Sequence, residues 1–262
     1  MVERTNDPER TSRRRGLYDP SFEHDACGVA FVVDIKGRKS HQVVSDALLA
    51  LEHLRHRGAS GSDAATGDGA GILLQVPDRL LRRECKSLGI PLPPAEQYAV
   101  GTVFLPCSGE AARSCRGMFG SLAARMGLRV LGWRPVPRDD SYIGASARSS
   151  QPCIEQVFVE RPDGVDADAF ERRLYLLRRR VECAAETSAL AELYVPSLSS
   201  RTLVYKGMLS ADQLPMYYSD LRDPDIESAL AIVHQRFSTN TFPSWSLAHP
   251  FRFIAHNGEI NT

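Results

Sequence analysis

Cys27 stands directly ahead of Gly28 and the apolar run "VAFVVDI", after 26 residues that are polar, charged and without period. A cysteine that opens an apolar strand is ordinarily a buried structural thiol. Its position offers a second chemistry. If the bond between Ala26 and Cys27 is cut, a thiol and a free α-amine sit on the same residue. An α-amine has a reference pKa of roughly 7.7–8.0, so a useful fraction is neutral near pH 7 and can take the thiol proton. One residue then supplies both nucleophile and general base, as an N-terminal threonine does, and no separate histidine is needed.

The far end of the chain carries matching equipment. Arg236 closes the apolar run "SALAIVHQRF", where its planar fork can grip a carboxylate at two points. Asn257 and Gly258 follow another apolar run. A side-chain amide and a bare glycine N–H are the donors of an oxyanion hole, each worth a factor of about 10²–10³ in rate. Taken alone, Asn-Gly in "HNGEI" reads more simply as a turn. Other motifs point away from chemistry. "TGDGAGI" has Ile72 where a dinucleotide loop needs a third glycine or alanine, and it precedes a strand rather than following one, so it reads as a tight turn with close backbone packing. His53 and His56 lack an acidic or cysteine partner at metal spacing and read as cationic groups at a helix end. "RRLYLLRRR" is flanked by acidic residues and reads as a solvated helix face.

The elements that must position these groups alternate between two periods. "CGVAFVVDI", "ILLQV", "QYAVGTVFLP", "LRVLGW" and "CIEQVFVE" read as strands, and "SALAIVHQRF" and "FRFIAHNGEI" as late strands. "SDALLALEHLRH" reads as a helix with Ala47, Leu48, Leu51 and Leu54 on one stripe. Helices follow over "PDRLLRRECKSLG", closed by Gly89, and over "GEAARSCRGMFGSLAARMG", closed by Gly127. The longest, "DADAFERRLYLLRRRVECAAE", starts at a cap on Asp166 or Asp168. "LYVPSLSSRTLVYKGML" reads as a hairpin-like pair. Mixed α and β with such connections favours antiparallel sheets with helices outside them over a parallel winding.

Composition bounds the partners. The chain has 262 residues, 43 % hydrophobic and 24 % charged, enough to bury a large core. Lys plus Arg equals Asp plus Glu at 32 each, so no net field draws nucleic acid or anionic lipid. No apolar run approaches the roughly 18 residues of a membrane span. Arg13, Arg14 and Arg15 are followed by no apolar segment, so the start is not a signal peptide and a cytoplasmic protein is expected. The six cysteines form no CxxC pair and no zinc spacing, and most are expected to be plain buried thiols.

Four segments together carry a resemblance: "DACGVAF", "LEHLRHRGASGSDAATGDGAGIL", "YKGML" and "HQRFSTNTFPSWSLAHPFRFIAHNGEINT". They resemble the N-terminal glutaminase domain of the glutamate synthase large-subunit family, a class II glutamine amidotransferase of the N-terminal-nucleophile hydrolase superfamily. The resemblance runs from residue 18 to residue 262 and is least distinctive between 105 and 190. It implies an α+β fold, a four-layer αββα sandwich of antiparallel sheets. Residues 1–26 are then a mobile leader, and residues 27–262 a glutaminase domain incomplete at its C-terminal end. Cys27 resembles the nucleophile exposed by leader removal, and Asn257 with Gly258 the oxyanion pair. Arg236 resembles the arginine that holds the α-carboxylate of L-glutamine. Thr239 stands in the same pocket, and Arg57 resembles an arginine near the nucleophile. The family carries an aspartate beyond the Asn-Gly pair for the substrate's α-amino group, and the four residues after Gly258 include none.

The implied reaction is hydrolysis of L-glutamine to glutamate and ammonia. The ammonia is expected to pass to synthase domains that make a second glutamate from 2-oxoglutarate, served by a small electron-delivering subunit or ferredoxin. FMN and an iron–sulfur cluster belong to those later domains, and no cofactor or metal is expected in this segment. Two other readings stand beside this one. Another class II amidotransferase shares the Cys-Gly and Asn-Gly pairs, and "RFSTNTFPSW" is the stretch that discriminates. An unprocessed or truncated chain is an inert scaffold, because Cys27 then has no free amine.

Overall fold

The computed structural model describes residues 27–58, 63, 65–188, 190, 192–236 and 242–252. Leader residues 1–26, Thr239, Asn257 and Gly258 lie outside the described residues, as does the late strand read over 251–260 apart from Phe251 and Arg252.

Among the described residues, eight strands form two antiparallel four-stranded sheets. The first has the order β1 (Gly28–Val33), β8 (Leu230–Gln235), β2 (Ala70–Gln75), β7 (Thr202–Gly207). The second has the order β4 (Arg129–Pro135), β5 (Cys153–Glu160), β3 (Tyr98–Leu105), β6 (Tyr194–Ser199). Helix α1 (His41–His53) packs on β1 and β8, and α3 (Gly109–Arg125) and α5 (Ala167–Glu186) pack on the second sheet. This is the α+β, αββα sandwich read from the sequence. Helices α2 (Asp78–Ser87), α4 (Ala145–Ser149) and α6 (Gln213–Tyr217) complete the helical set among the described residues. None is long and apolar enough to cross a membrane.

The second sheet is buried on both faces, which is why β3 reads as a continuous apolar run. Tyr98, Val100 and Phe104 point into a core shared with the first sheet and α1, while Ala99, Val103 and Leu105 lie under α3 and α5. Helix ends follow local chemistry. Asp166 caps α5 by accepting from the Ala169 N–H at 2.7 Å. Gly89 and Gly127, just past α2 and α3, take left-handed φ values of 69° and 67°.

Two expectations need correction. Helix α1 starts at His41, ahead of the Ser45 start read from the sequence, because Ser40 caps it and Val43 and Val44 extend its buried stripe. The segment read as a hairpin is not a pair. Strand β6 bonds to β3 in the second sheet, and β7 bonds to β2 in the first, so the chain changes sheets at Ser200 and Arg201. Alternation within each strand is the same in either case, so sequence period cannot tell a hairpin from a crossing between sheets.

One polar cluster pins the two sheets together. The Arg134 guanidinium on β4 donates to both Asp220 carboxylate oxygens at 2.8 Å and to Gln156 Oε1 at 2.9 Å. Tyr205 on β7 donates its hydroxyl to the same Asp220 at 2.8 Å and accepts from Gln156 Nε2 at 3.0 Å. Burial opposes the Arg134 charge, and the Asp220 carboxylate overrides it and holds the guanidinium above its ordinary value.

Candidate active site

The last residue pair of β1 and β8 is Gly28 with Gln235, and the last of β2 and β8 is Ala70 with Gln235. One step further along these strands lie Cys27, Arg236 and Gly69. The Arg236 N–H donates to the Gly69 carbonyl at 2.7 Å, so the register of β8 on β2 extends to this step. The same step on the other side sets Cys27 across from Arg236. Two residues from opposite ends of the chain therefore stand side by side at one end of the first sheet. Both are buried, Cys27 at 4 % and Arg236 at 9 % exposure. Arg236 also donates through Nη1 to the Asp68 carbonyl at 3.3 Å.

Small residues let the walls of this site close in. A Cβ on Gly28 would stand 3.0 Å from Leu54 Cβ and 3.2 Å from Arg57 Cβ. The bare backbone lets the 3₁₀ turn Arg55–Arg57, which follows α1, lie against the start of β1. Arg57 is thereby brought beside the residue that follows Cys27, half-buried. A Cβ on Gly58 would meet the Gln235 amide at 2.6 Å. Gly69 has a φ of 140°, a backbone region open essentially to glycine, and its missing side chain makes room for Ala248. The glycine-rich stretch is thus a close-packed turn, as its spacing indicated. It is tied to α4 by Asp63, whose carboxylate accepts from the Ser146 N–H at 3.0 Å and the Thr66 hydroxyl at 2.8 Å. The Ser146 N–H first, then Thr66, hold the Asp63 carboxyl below its ordinary value.

The segment after residue 242 is seated on the other half of the sheet. Lys206 on β7 donates from Nζ to the Ser246 and Ala248 carbonyls, each at 2.8 Å. Its ammonium also lies 4.2 Å from the centre of the Phe251 ring. Burial, then the charge of Arg178, push the Lys206 amine well below its ordinary value. Trp245 packs against Gly207 and donates Nε1–H to the Ala147 carbonyl at 3.0 Å. The His234 and His249 rings stack with centroids 4.6 Å apart. Sequence reading missed Lys206 and Trp245 as supports of the site. A lysine amid the apolar residues of "LVYKGML" was the available signal, since an ammonium inside a buried strand needs fixed acceptors.

Of the residues singled out from sequence, Cys27 and Arg236 each adjoin the Gly28–Gln235 pair, and Arg57 lies against Gly28. Thr239, Asn257 and Gly258 lie outside the described residues. Among the described residues no three His, Cys, Asp or Glu side chains gather in a metal-holding group.

Comparison with known proteins decides the family. The family model described as "Glutamine amidotransferases class-II" matches residues 27–262. The chain belongs to the class-II glutamine amidotransferases. Its similarity to named members runs over nearly its whole length. It is 46 % identical over 251 residues to the glutamate synthase [NADPH] large chain of Bacillus subtilis, covering 95 % of this chain and 16 % of that one. It is 45 % identical over 259 residues to the glutamate synthase [NADH] of Saccharomyces cerevisiae, covering 95 % and 12 %. The chloroplastic ferredoxin-dependent glutamate synthase 2 of Arabidopsis thaliana is 42 % identical over 247 residues, covering 94 % and 15 %. This class-II amidotransferase chain thus spans at most about one-sixth of the length of these relatives.

Proposed function

We propose that the chain is the glutaminase module of a glutamate synthase and that Cys27, freed of residues 1–26, is its nucleophile. The observation that carries the reading is the pairing of Gly28 with Gln235 at the end of the first sheet, one step from the buried Cys27 and Arg236. The family match beginning at residue 27 supports it. The Cys27 thiolate attacks the side-chain amide carbon of L-glutamine. Asn257 and Gly258 donate to the oxyanion of the tetrahedral intermediate. The α-amine of Cys27 takes the thiol proton and passes it to the departing ammonia. Water activated by the same amine then hydrolyses the γ-glutamyl thioester, releasing glutamate. Arg236 holds the substrate's α-carboxylate with its fork, with Thr239 in the same pocket, so that attack becomes effectively intramolecular. Arg57 lines the approach to the nucleophile.

In the full-length protein the ammonia passes to synthase domains that use it on 2-oxoglutarate. FMN and iron–sulfur chemistry there supplies the electrons, which arrive from a partner subunit or ferredoxin. The B. subtilis, S. cerevisiae and Arabidopsis relatives carry NADPH, NADH and ferredoxin in their names, and the donor for this protein is of one of these kinds. The compartment that suits this reading is the cytoplasm.

The test is made on the full-length protein. A glutamine-mimicking electrophile is expected to label Cys27, found by peptide mapping as the mature N-terminal residue. Cys27→Ala is expected to abolish glutamine hydrolysis with the thermal unfolding midpoint unchanged. Retained hydrolysis in that variant, or label on another residue, overturns the assignment. So does an active enzyme with residues 1–26 still attached.

A further inference from the structure

The strands of the second sheet bring two cysteines together, away from the candidate active site. In the β3–β5 ladder Leu105 faces Cys153, and Cys107 lies two residues beyond Leu105 on the chain leaving β3. The Cys107 and Cys153 sulfurs are 3.0 Å apart, inside van der Waals contact. Cys107 also donates to the Gln151 carbonyl at 3.4 Å, which aims its sulfur at the start of β5. Cys107 is exposed and Cys153 half-buried, and Cys107 lies on the rim of a groove of about 950 Å³ that also borders Trp245 and Phe251. The Arg138 guanidinium donates to the carbonyl of Pro152, the residue before Cys153, at 3.1 Å. A reactive cysteine wants that setting: a partner sulfur, partial exposure and a fixed cation. No spacing rule reveals the pair, because strand pairing joins residues 46 apart.

We propose that Cys107 and Cys153 form a dithiol modification site that takes a small-molecule disulfide and closes an intrachain disulfide. The thiolate of one of the two cysteines attacks one sulfur of the small disulfide and expels one small thiolate, leaving a mixed disulfide on that cysteine. The sulfur of the other, deprotonated, then attacks the modified protein sulfur and expels the second. Two protein thiols are oxidised, the small disulfide is reduced to two thiols, and the two protons go to those products. Partial burial, then the Cys153 sulfur, push the Cys107 thiol up to about 11. Bringing the sulfurs to bonding distance of about 2.05 Å needs a shift of about 1 Å at the end of the β3–β5 ladder.

The test uses the full chain in a Cys27→Ala background, which removes the candidate nucleophile from the thiol count. Reduced protein is incubated with oxidised glutathione, blocked with an alkylating reagent and mapped by mass spectrometry without reduction. A cross-linked peptide pair containing Cys107 and Cys153, about 2 Da lighter than the two free peptides, is expected. Cys183, exposed and with no cysteine partner among the described contacts, is expected to end as a glutathione adduct. Cys107→Ser and Cys153→Ser are each expected to turn the cross-link into an adduct on the surviving cysteine. Phenylarsine oxide, which bridges two thiols, is expected to add once to the background protein and to lose at least ten-fold in affinity in either serine variant. Separate adducts on Cys107 and Cys153 with no cross-link overturn the proposal, and so does arsenical binding that survives both serine variants.

Discussion

Replacing Asp220 by Asn tests how the two sheets are held in register. Arg134 and Asp220 are 2 % and 4 % exposed and meet through two bonds of 2.8 Å. Asparagine keeps the shape of the side chain but removes its charge and turns one acceptor into a donor that faces the guanidinium. Arg134 is then a buried cation without its main counter-charge, a loss of roughly 3–5 kcal/mol. Glu84 remains 3.5 Å from Arg134 Nη2 but is 30 % exposed, so its screened charge recovers only part of this. The lower end, about 3 kcal/mol, is the expected cost. At roughly 2–4 °C per kcal/mol for a domain of this size, the unfolding midpoint drops by about 6–12 °C. Circular dichroism melting measures it. A second variant separates charge from packing: Arg134→Met with Asp220→Leu removes both ions at the cost of the Tyr205 and Gln156 bonds to them, and is expected to be less destabilised than Asp220→Asn. A midpoint within about 2 °C of the parent for Asp220→Asn refutes the reasoning. A double variant no better than the single refutes it equally.

Three further outcomes follow from the site and surface. Gly28→Ala drives a Cβ into Leu54 and Arg57, costing about 1–3 kcal/mol, and is expected to lower glutamine hydrolysis at least ten-fold by moving Arg57 away from Cys27; parent-like kinetics would contradict the packing argument. Lys206→Met removes two bonds to the Ser246 and Ala248 carbonyls but also the burial of an ammonium, so global stability is expected to change by less than about 2 kcal/mol. Amide hydrogen exchange at Trp245 and Leu247 should nonetheless speed up about ten-fold or more, and unchanged exchange there sinks the clamp role. Acid should destabilise the fold. Asp34, Asp63, Asp139, Asp166 and Asp223 are each held below the ordinary 3.8, chiefly by Arg38, the Ser146 N–H, Ser141, the Ala169 N–H and Arg83 respectively. Their folded values are the lower ones, so the unfolded chain binds more protons as pH falls. Their contribution is complete above about pH 4 and is lost below it, through the lowered values. Urea midpoints are expected to be flat from pH 6 to 5 and to fall below pH 4; a midpoint that rises on acidification rules this out.

Much of the fold was legible because its signals are local. Glycines 89 and 127 ended helices where the sequence put them, and β3 announced its burial through an unbroken apolar run. The reading of Cys27 as nucleophile and base is also local, since thiol and amine would belong to one residue, and it stands as a proposal. The start of α1 was misread because its cap, Ser40, sits a turn ahead of the obvious leucine stripe.

The sequence by itself determined most of the elements and the family, because periodicity, capping and contiguous motifs are written within a few residues of one another. Only the tertiary structure decided which strands pair. It sent β6 and β7 to different sheets, set Cys27 beside Arg236, and joined Arg134 to Asp220 across 86 residues and Cys107 to Cys153 across 46. Each of these contacts depends on the register of two strands or on a loop folding back. The free energy that selects them is the burial of a whole sheet face, which no short stretch of residues carries alone.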